Sequence, residues 1–560
     1  MKADSTKLAG ILTPASRYVI PLFQRDYVWN INNWENLWDD VVELHDSQRT
    51  NRSHFMGAIV LVPEAMEPNK LPTFQVIDGQ QRLITLSLVL CALRNVASDL
   101  GHHDLSREMT ASYLVHQFKK DDEHYRVYPR WRDRDQYTAA IEHKSVPGET
   151  IRKALDFFTQ QLEVMFPSAS ESDLRAFYEM FSNRLEFVQI NLGVEENPFQ
   201  IFRSLNSTGV DLAESDLIRN FMFMQMSEKH QADFDKNSWE PLERHFESRD
   251  SKDKGKLDGK GFSAFLRDFL MHGGNYVGIN DTFEKFETYC KGKADAIEVV
   301  KELDDNVQLY DAVRGLKPHI LGDANLEGAL KQLRQLESST AYPVVLNLLN
   351  KVRSGSLSVD DATHGIRLLS GFILRRYVCN ESSRTYGKWL VQACSHLKNG
   401  PLEDLRSYLH SRGYPDDAQF QEDFVNFKMY KGNRVMALVI LKALEMSSLH
   451  KEKADLSTAS IEHIMPQSLT PEWINALGPQ HGVIHERWLH TPGNLTITAY
   501  NRELAQKSFI AKRKIYADSH FQLTKSIAQL NPPIWNEAQI VKRGRLMAER
   551  AKNIWIGPDA

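Results

Sequence analysis

Cysteine is scarce in this sequence. Its 560 residues hold four, Cys91, Cys290, Cys379 and Cys394, scattered and without a CxxC pair, which excludes a zinc ribbon and a disulfide framework. Long apolar runs are lacking too. The longest, at residues 86–93, is far too short to cross a bilayer, and the opening MKADSTKLAG has no apolar stretch of the kind a secretory signal needs. No membrane partner and a cytoplasmic location are therefore expected. An excess of positive charge is also missing: the net charge of -5 argues against a globally basic, nucleic-acid-coating protein. Internal repeats and extended low-complexity tracts are absent as well.

What is present is ordinary globular material. Hydrophobic residues make up 42% and charged residues 25%, enough to build large cores and to exclude wholesale disorder. The length exceeds one core and favours about three or four units. The first eighty residues read as mixed α/β: RYVIPLFQ, HFMGAIVLV and TFQVI are strand candidates, and LITLSLVLCALRNVASDL is a long apolar helix. Helical patterns fill much of 106–185, EFVQINL at 186–192 reads as a returning strand, and 211–430 is nearly all helical. The charged, glycine-containing stretch 248–261 is expected to be an exposed loop.

The sharpest local feature is Asp78, Gly79, Gln80, Gln81 and Arg82, between the TFQVI strand and the apolar helix. A strand-to-helix turn aims free backbone N–H groups and the positive end of the helix dipole at one spot. Gly79 lets the backbone come close to a ligand, Arg82 suits a bidentate grip on phosphate, and Asp78 suits a metal ion, a water or a sugar hydroxyl. The plainer alternative is a polar helix start, with Asp78 as N-cap and Arg82 in a surface ion pair. Two further segments accompany the turn. Gln24, Arg25, Tyr27 and Trp29 crowd into PLFQRDYVW, and IFRSLNSTG, with Asn206 and Gly209 in a tight polar loop, leads into Asp216-Leu-Ile-Arg-Asn220. Core packing is the competing role for Phe23, Tyr27 and Trp29.

The set IPLFQRDYVW, FMGAIVL, VIDGQQRLITL and IFRSLNSTGVDLAESDLIRN resembles, in order and over residues 20–220, the N-terminal domain of GmrSD-type restriction proteins. The resemblance implies a ParB/sulfiredoxin-like core that binds and hydrolyses an NTP, GTP or ATP, at Asp78, Gly79, Gln80, Gln81 and Arg82, with Gln24 and Arg25 as neighbours. Ala213 departs from it, standing where the family often has a Ser or Thr helix cap.

Near the C-terminus, Glu462-His463-Ile-Met-Pro-Gln467 is followed by the Thr491–Thr498 run TPGNLTIT, then Asn501, Lys507 and Lys512. Phosphodiester hydrolysis needs an activated water, a cation beside the phosphate and relief of charge on the leaving oxygen. His463 suits an exposed general base, Glu462 and Asn501 suit hard oxygen ligands for Mg²⁺ or Mn²⁺, and Asn494 suits a hydrogen bond to the His463 ring or backbone. Lys507 and Lys512 suit phosphate contacts. A β-hairpin with an incidental histidine is the alternative, and His481, His485 and His490 lie nearby. Residues 501–552 hold eleven Lys and Arg against four acids, a local +7 fit for phosphate or simply for a solvated helical surface. The segment IEHIMPQ, HTPGNLTIT, Asn501 and FIAKRKIY, with the basic tail, resembles the HNH, or ββα-metal, nuclease domain of GmrSD-type proteins. That resemblance implies His463 as base, Asn494 as the structural asparagine, and Glu462 and Asn501 as metal ligands.

The reading is an α+β, mostly helical protein: a nucleotide-binding, DNA-sensing domain at 1–225, a helical linker at 226–430 and an HNH domain at 431–560. The implied function is a nucleotide-regulated, metal-dependent endonuclease of anti-phage restriction, with DNA, modified phage DNA in particular, as substrate and a homodimer as a plausible assembly. The rival is a nucleotide-switched DNA-binding or partner-binding protein with negligible nuclease activity.

Overall fold

A computed structural model describes residues 2–13, 15–46, 52–64, 70–129, 131–193, 213–226, 228–248, 257–317, 322–448, 455–530 and 533–560. They form an α+β protein dominated by helices, in two compact units: 1–263 with 286–298, and 264–285 with 299–560.

The first unit is built on a six-stranded mixed sheet of Lys2–Lys7 (β1), Arg17–Val19 (β2), His54–Pro63 (β3), Thr73–Asp78 (β4), Val127–Tyr128 (β5) and Leu185–Asn191 (β6), in the order β1-β6-β3-β4-β2-β5. Its middle pairs are β6 parallel to β3, β3 antiparallel to β4, and β4 parallel to β2. Ile59, Val60 and Leu61 of β3 are wholly buried, which is why HFMGAIVLV reads as an unbroken apolar run rather than an alternation. The apolar helix runs from Gln80 to Asp99 and is buried almost all round, so it is the spine of this core. RYVIPLFQ forms a strand only over Arg17–Val19: Pro21 has no N–H for a ladder, and the chain leaves the sheet there. Most of the expected loop at 248–261, namely 249–256, lies outside the described residues.

In the second unit one continuous core joins the helices from Ala324–Gln335 to Arg434–Met446 with the last hundred residues. The helical stretch before residue 430 thus shares its apolar interior with the module that follows. That module holds a two-stranded antiparallel sheet, Ser460–His463 (β7) and Leu495–Thr498 (β8), in which Glu462 faces Thr496 and His463 faces Leu495. Among the described residues, no helix is long and apolar enough to cross a membrane.

One buried carboxyl in this unit is tuned to neutral pH. Asp268 accepts a 2.9 Å hydrogen bond from the Tyr310 hydroxyl, yet burial pushes its pKa up to about 7, against the pull of Tyr310 and of Arg267. The unfolded chain binds this proton less tightly, so the stabilisation is complete below about pH 4 and is lost as pH rises through 7. Wild type should therefore lose about 2–3 kcal/mol from this group between pH 5 and pH 8. Asp268→Asn should flatten that slope in urea unfolding; an unchanged slope would refute the assignment.

Candidate functional sites

The N-terminal turn begins where β4 ends. Gly79 is the N-cap of the long helix at φ +98°, a left-handed conformation, and a Cβ there would stand 3.0 Å from the Ile59 side chain. As a glycine it brings no side-chain cap to the N–H groups of the helix's first turn. Arg82, one turn in, faces a bulge in β3. Its Nη1 donates to the carbonyls of Met56 (3.1 Å) and Ala58 (2.7 Å), and its Nη2 to Asp78 Oδ2 (3.4 Å). Gly57, at φ +103°, is required here, because a Cβ would come within 2.5 Å of Nη1. Arg82 is thus occupied in shaping the bulge, and Asp78 stands beside it as ion-pair partner rather than as N-cap.

The three motifs meet at this turn. Gln24 donates to the Ile77 carbonyl (2.8 Å). Gln81 accepts from Val28 N (2.9 Å) and donates to the Asp26 carbonyl (3.1 Å), so it fastens the PLFQRDYVW loop to the helix. The Tyr27 hydroxyl is 2.7 Å from Thr85 Oγ1 and accepts from Trp34 Nε1 at 3.0 Å, and Phe23 and Tyr27 are buried. From the other side Arg219, itself buried, donates to the Leu22 carbonyl (3.0 Å) and pairs with Asp235 and Glu243. Arg25 offsets the burial that raises the pKa of Asp216, whose carboxylate accepts the Ala213 N–H, the half of a capping box that does not depend on a Ser or Thr at 213. Gln80 is buried at the helix start, and among the described residues its Oε1 has no partner. Asn206 and Gly209 lie outside the described residues.

In the second unit β7, β8 and the helix Phe509–Ala517 form a ββα unit. Asn494 is its brace. The amide is fully buried, accepts from Met465 N (2.8 Å) and Trp535 Nε1 (3.1 Å), and donates to the carbonyls of Met465 and Leu489 (both 3.0 Å). It therefore holds the backbone just after His463, not the ring. Lys512 corrects the sequence reading. Its ammonium is buried between Glu462 Oε1 (2.6 Å) and the His463 carbonyl (2.8 Å), so it does not reach phosphate. The Tyr516 hydroxyl adds a second bond to Glu462 (3.2 Å). Burial raises the Glu462 pKa and lowers that of Lys512, and each pulls the other back toward its charged form.

His463 is buried rather than exposed. Its Nε2 lies 3.2 Å from His490 Nδ1, and the Tyr430 ring sits edge-on to it at 4.6 Å and stacks on His490 at 5.4 Å. Burial, then the neighbouring cationic groups, push its pKa down to about 3, so the imidazole is held neutral and by itself is a weak base. Tyr430 was missed by sequence reasoning, which noted His490 only as a nearby histidine directly before TPGN. Asn501 is exposed and its Nδ2 donates to the Ile461 carbonyl (3.0 Å). His485 bonds the Pro466 carbonyl, and Lys507 is exposed. The basic tail is partly interior: Arg543 is buried and clamps the carbonyls of Pro492, Gly493 and Leu495.

A divalent ion was expected on Glu462 and Asn501. Glu462 is committed to Lys512 and Tyr516, and among the described residues no three His, Cys, Asp or Glu side chains gather around one point. The donors that do face each other are the two imidazole nitrogens.

The family model of the GmrSD restriction endonuclease N-terminal domain matches residues 8–223, and that of the C-terminal domain matches residues 414–550. Together they cover more than half of the chain, which belongs to the GmrSD restriction endonuclease family. No curated protein sequence matches the chain.

The Glu462–Lys512 pair gives a direct stability test. Lys512→Met should cost about 3–5 kcal/mol in urea unfolding, because it strands a buried carboxylate, and Glu462→Gln in the same chain should recover much of that loss. A cost below about 1 kcal/mol for Lys512→Met would mean that the pair is solvated.

Proposed function

We propose that the chain is a nucleotide-regulated, metal-dependent DNA endonuclease that restricts phage DNA, modified DNA in particular. The observation that carries the proposal is the His463–His490 pair, nitrogen to nitrogen at 3.2 Å at the edge of the ββα unit. His463 takes the proton of the attacking water. His490 orients the His463 ring through the shared nitrogen contact, and Tyr430 fixes both rings by packing. Lys512 and Glu462 hold the end of β7, and Asn494 holds the turn that follows it. The negative phosphate of a bound DNA would raise the His463 pKa from its depressed value toward the range useful to a base. A divalent ion beside the phosphate, with the exposed Asn501 as a candidate ligand, would supply charge neutralisation there, and His463 would keep its lone pair for the proton.

In the first unit an NTP is proposed to seat its phosphates on the N–H groups at the start of Gln80–Asp99. Gln80 offers its partnerless amide oxygen to the nucleotide. Asp78 and Arg82 adjoin this seat, and Gln24 and Gln81 fasten the neighbouring segment that carries Arg25.

His463→Ala should slow plasmid cleavage by about 10²–10⁴-fold while NTP binding persists; cleavage at the wild-type rate would sink the assignment. Asp78→Ala should weaken NTP binding in calorimetry and also change the rate of DNA cleavage. Lost NTP binding with unaltered cleavage across a full nucleotide titration would show that the two sites are uncoupled.

A further inference from the structure

Residues 428–434 carry three cations that the candidate cutting site itself does not use. Lys428, Lys431 and Arg434 are exposed, and among the described residues none of them has a carboxylate within ion-pair distance. Their place beside the site is fixed by packing. The Arg434 guanidinium lies 4.8 Å over the Tyr430 ring, and the same ring touches both His463 and His490. Lys431, Lys428 and Arg434 are close enough to His490 for their charge to add to the burial that disfavours its protonation. Asn433 caps the following helix by accepting from Val435 N and Met436 N, so that helix end is already satisfied and the side-chain charges are what this rim presents.

Three like charges held together without counter-charge repel one another, and a polyanion relieves that repulsion. Duplex DNA fits, since it carries one negative charge per about 1.7 Å along its axis. We infer that Lys428, Lys431 and Arg434 form a phosphate clamp that holds the DNA backbone over the His463–His490 pair. The inference rests on the reading of the chain as a DNA-cutting protein and extends its contact surface beyond the ββα unit. Tyr430 is the positioning residue that ties the clamp to the imidazoles.

The test is equilibrium binding of a short fluorescein-labelled DNA duplex to the full chain in EDTA, followed by anisotropy over a salt series. The wild type should show an affinity that falls linearly with salt on logarithmic axes. The triple variant Lys428→Ala, Lys431→Ala, Arg434→Ala should bind about tenfold more weakly or worse at low salt, with a slope shallower by about 2–3. The charge-preserving set Lys428→Arg, Lys431→Arg, Arg434→Lys should keep the slope, and Lys398→Ala, on another exposed surface, should not change it. A folded triple variant with wild-type slope and affinity overturns the clamp and leaves the endonuclease reading standing. A wild type that binds with a steep, clamp-dependent slope but never cuts overturns the endonuclease reading and keeps the clamp. A wild type that binds no duplex overturns the clamp.

Discussion

The C-terminal module depends on one buried ion pair. Glu462 and Lys512 lie fifty residues apart and meet at 2.6 Å in an interior where neither charge is easily left alone. Burying the two ions costs several kcal/mol each, and their attraction offsets this only because the surrounding bonds are complete. The Tyr516 hydroxyl serves the carboxylate, and the His463 carbonyl serves the ammonium. The pair contributes position more than stability. It sets the helix Phe509–Ala517 against the end of β7, so the next ring, His463, meets His490 and Tyr430. A loosened pair would move the imidazole, and a base displaced by even 1 Å can lose about a hundredfold in rate.

The N-terminal unit applies the same logic with hydrogen bonds to backbone. Arg82 shapes the β3 bulge, Gln81 fastens the 26–28 stretch, Gln24 reaches the Ile77 carbonyl and Arg219 reaches the Leu22 carbonyl. The conspicuous polar residues of these motifs mainly bind one another's main chain. What they leave open is small and specific: the first-turn N–H groups after Gly79 and the buried Oε1 of Gln80. On the proposed reading, the N–H donors of such a seat would be aimed at a nucleotide phosphate without reorganisation. The Arg219 pairs with Asp235 and Glu243 anchor one side of that frame, and both partners come from a helical stretch beyond residue 225.

Much of this was legible in the sequence wherever the determinant is local. Thr73–Asp78 followed by Gly79 and a long apolar run specifies a strand, a turn and a helix within a few residues, and the structure builds them. For Asn494 the residues offered a hydrogen bond to the His463 ring or backbone, and the role of structural asparagine came from the family resemblance. Environment was not legible, because it is made by distant contacts. The letters around Lys512 and Arg543 describe a basic surface, yet both are interior. Arg82 looked free for phosphate because the bulge that it fills lies some 25 residues upstream, signalled only by Gly57. His463 looked exposed because its covers, Tyr430 and His490, lie about thirty residues away on either side.

The central claim is that one chain cuts DNA under nucleotide control. Its most direct measurement is cleavage of supercoiled plasmid by the purified wild-type chain, with Mg²⁺ or Mn²⁺ or with EDTA, at each point of an NTP titration. The account predicts nicked or linear product that needs the metal and forms at a rate that changes with nucleotide occupancy. Intact plasmid under every condition, or cleavage indifferent to both EDTA and nucleotide, would contradict it.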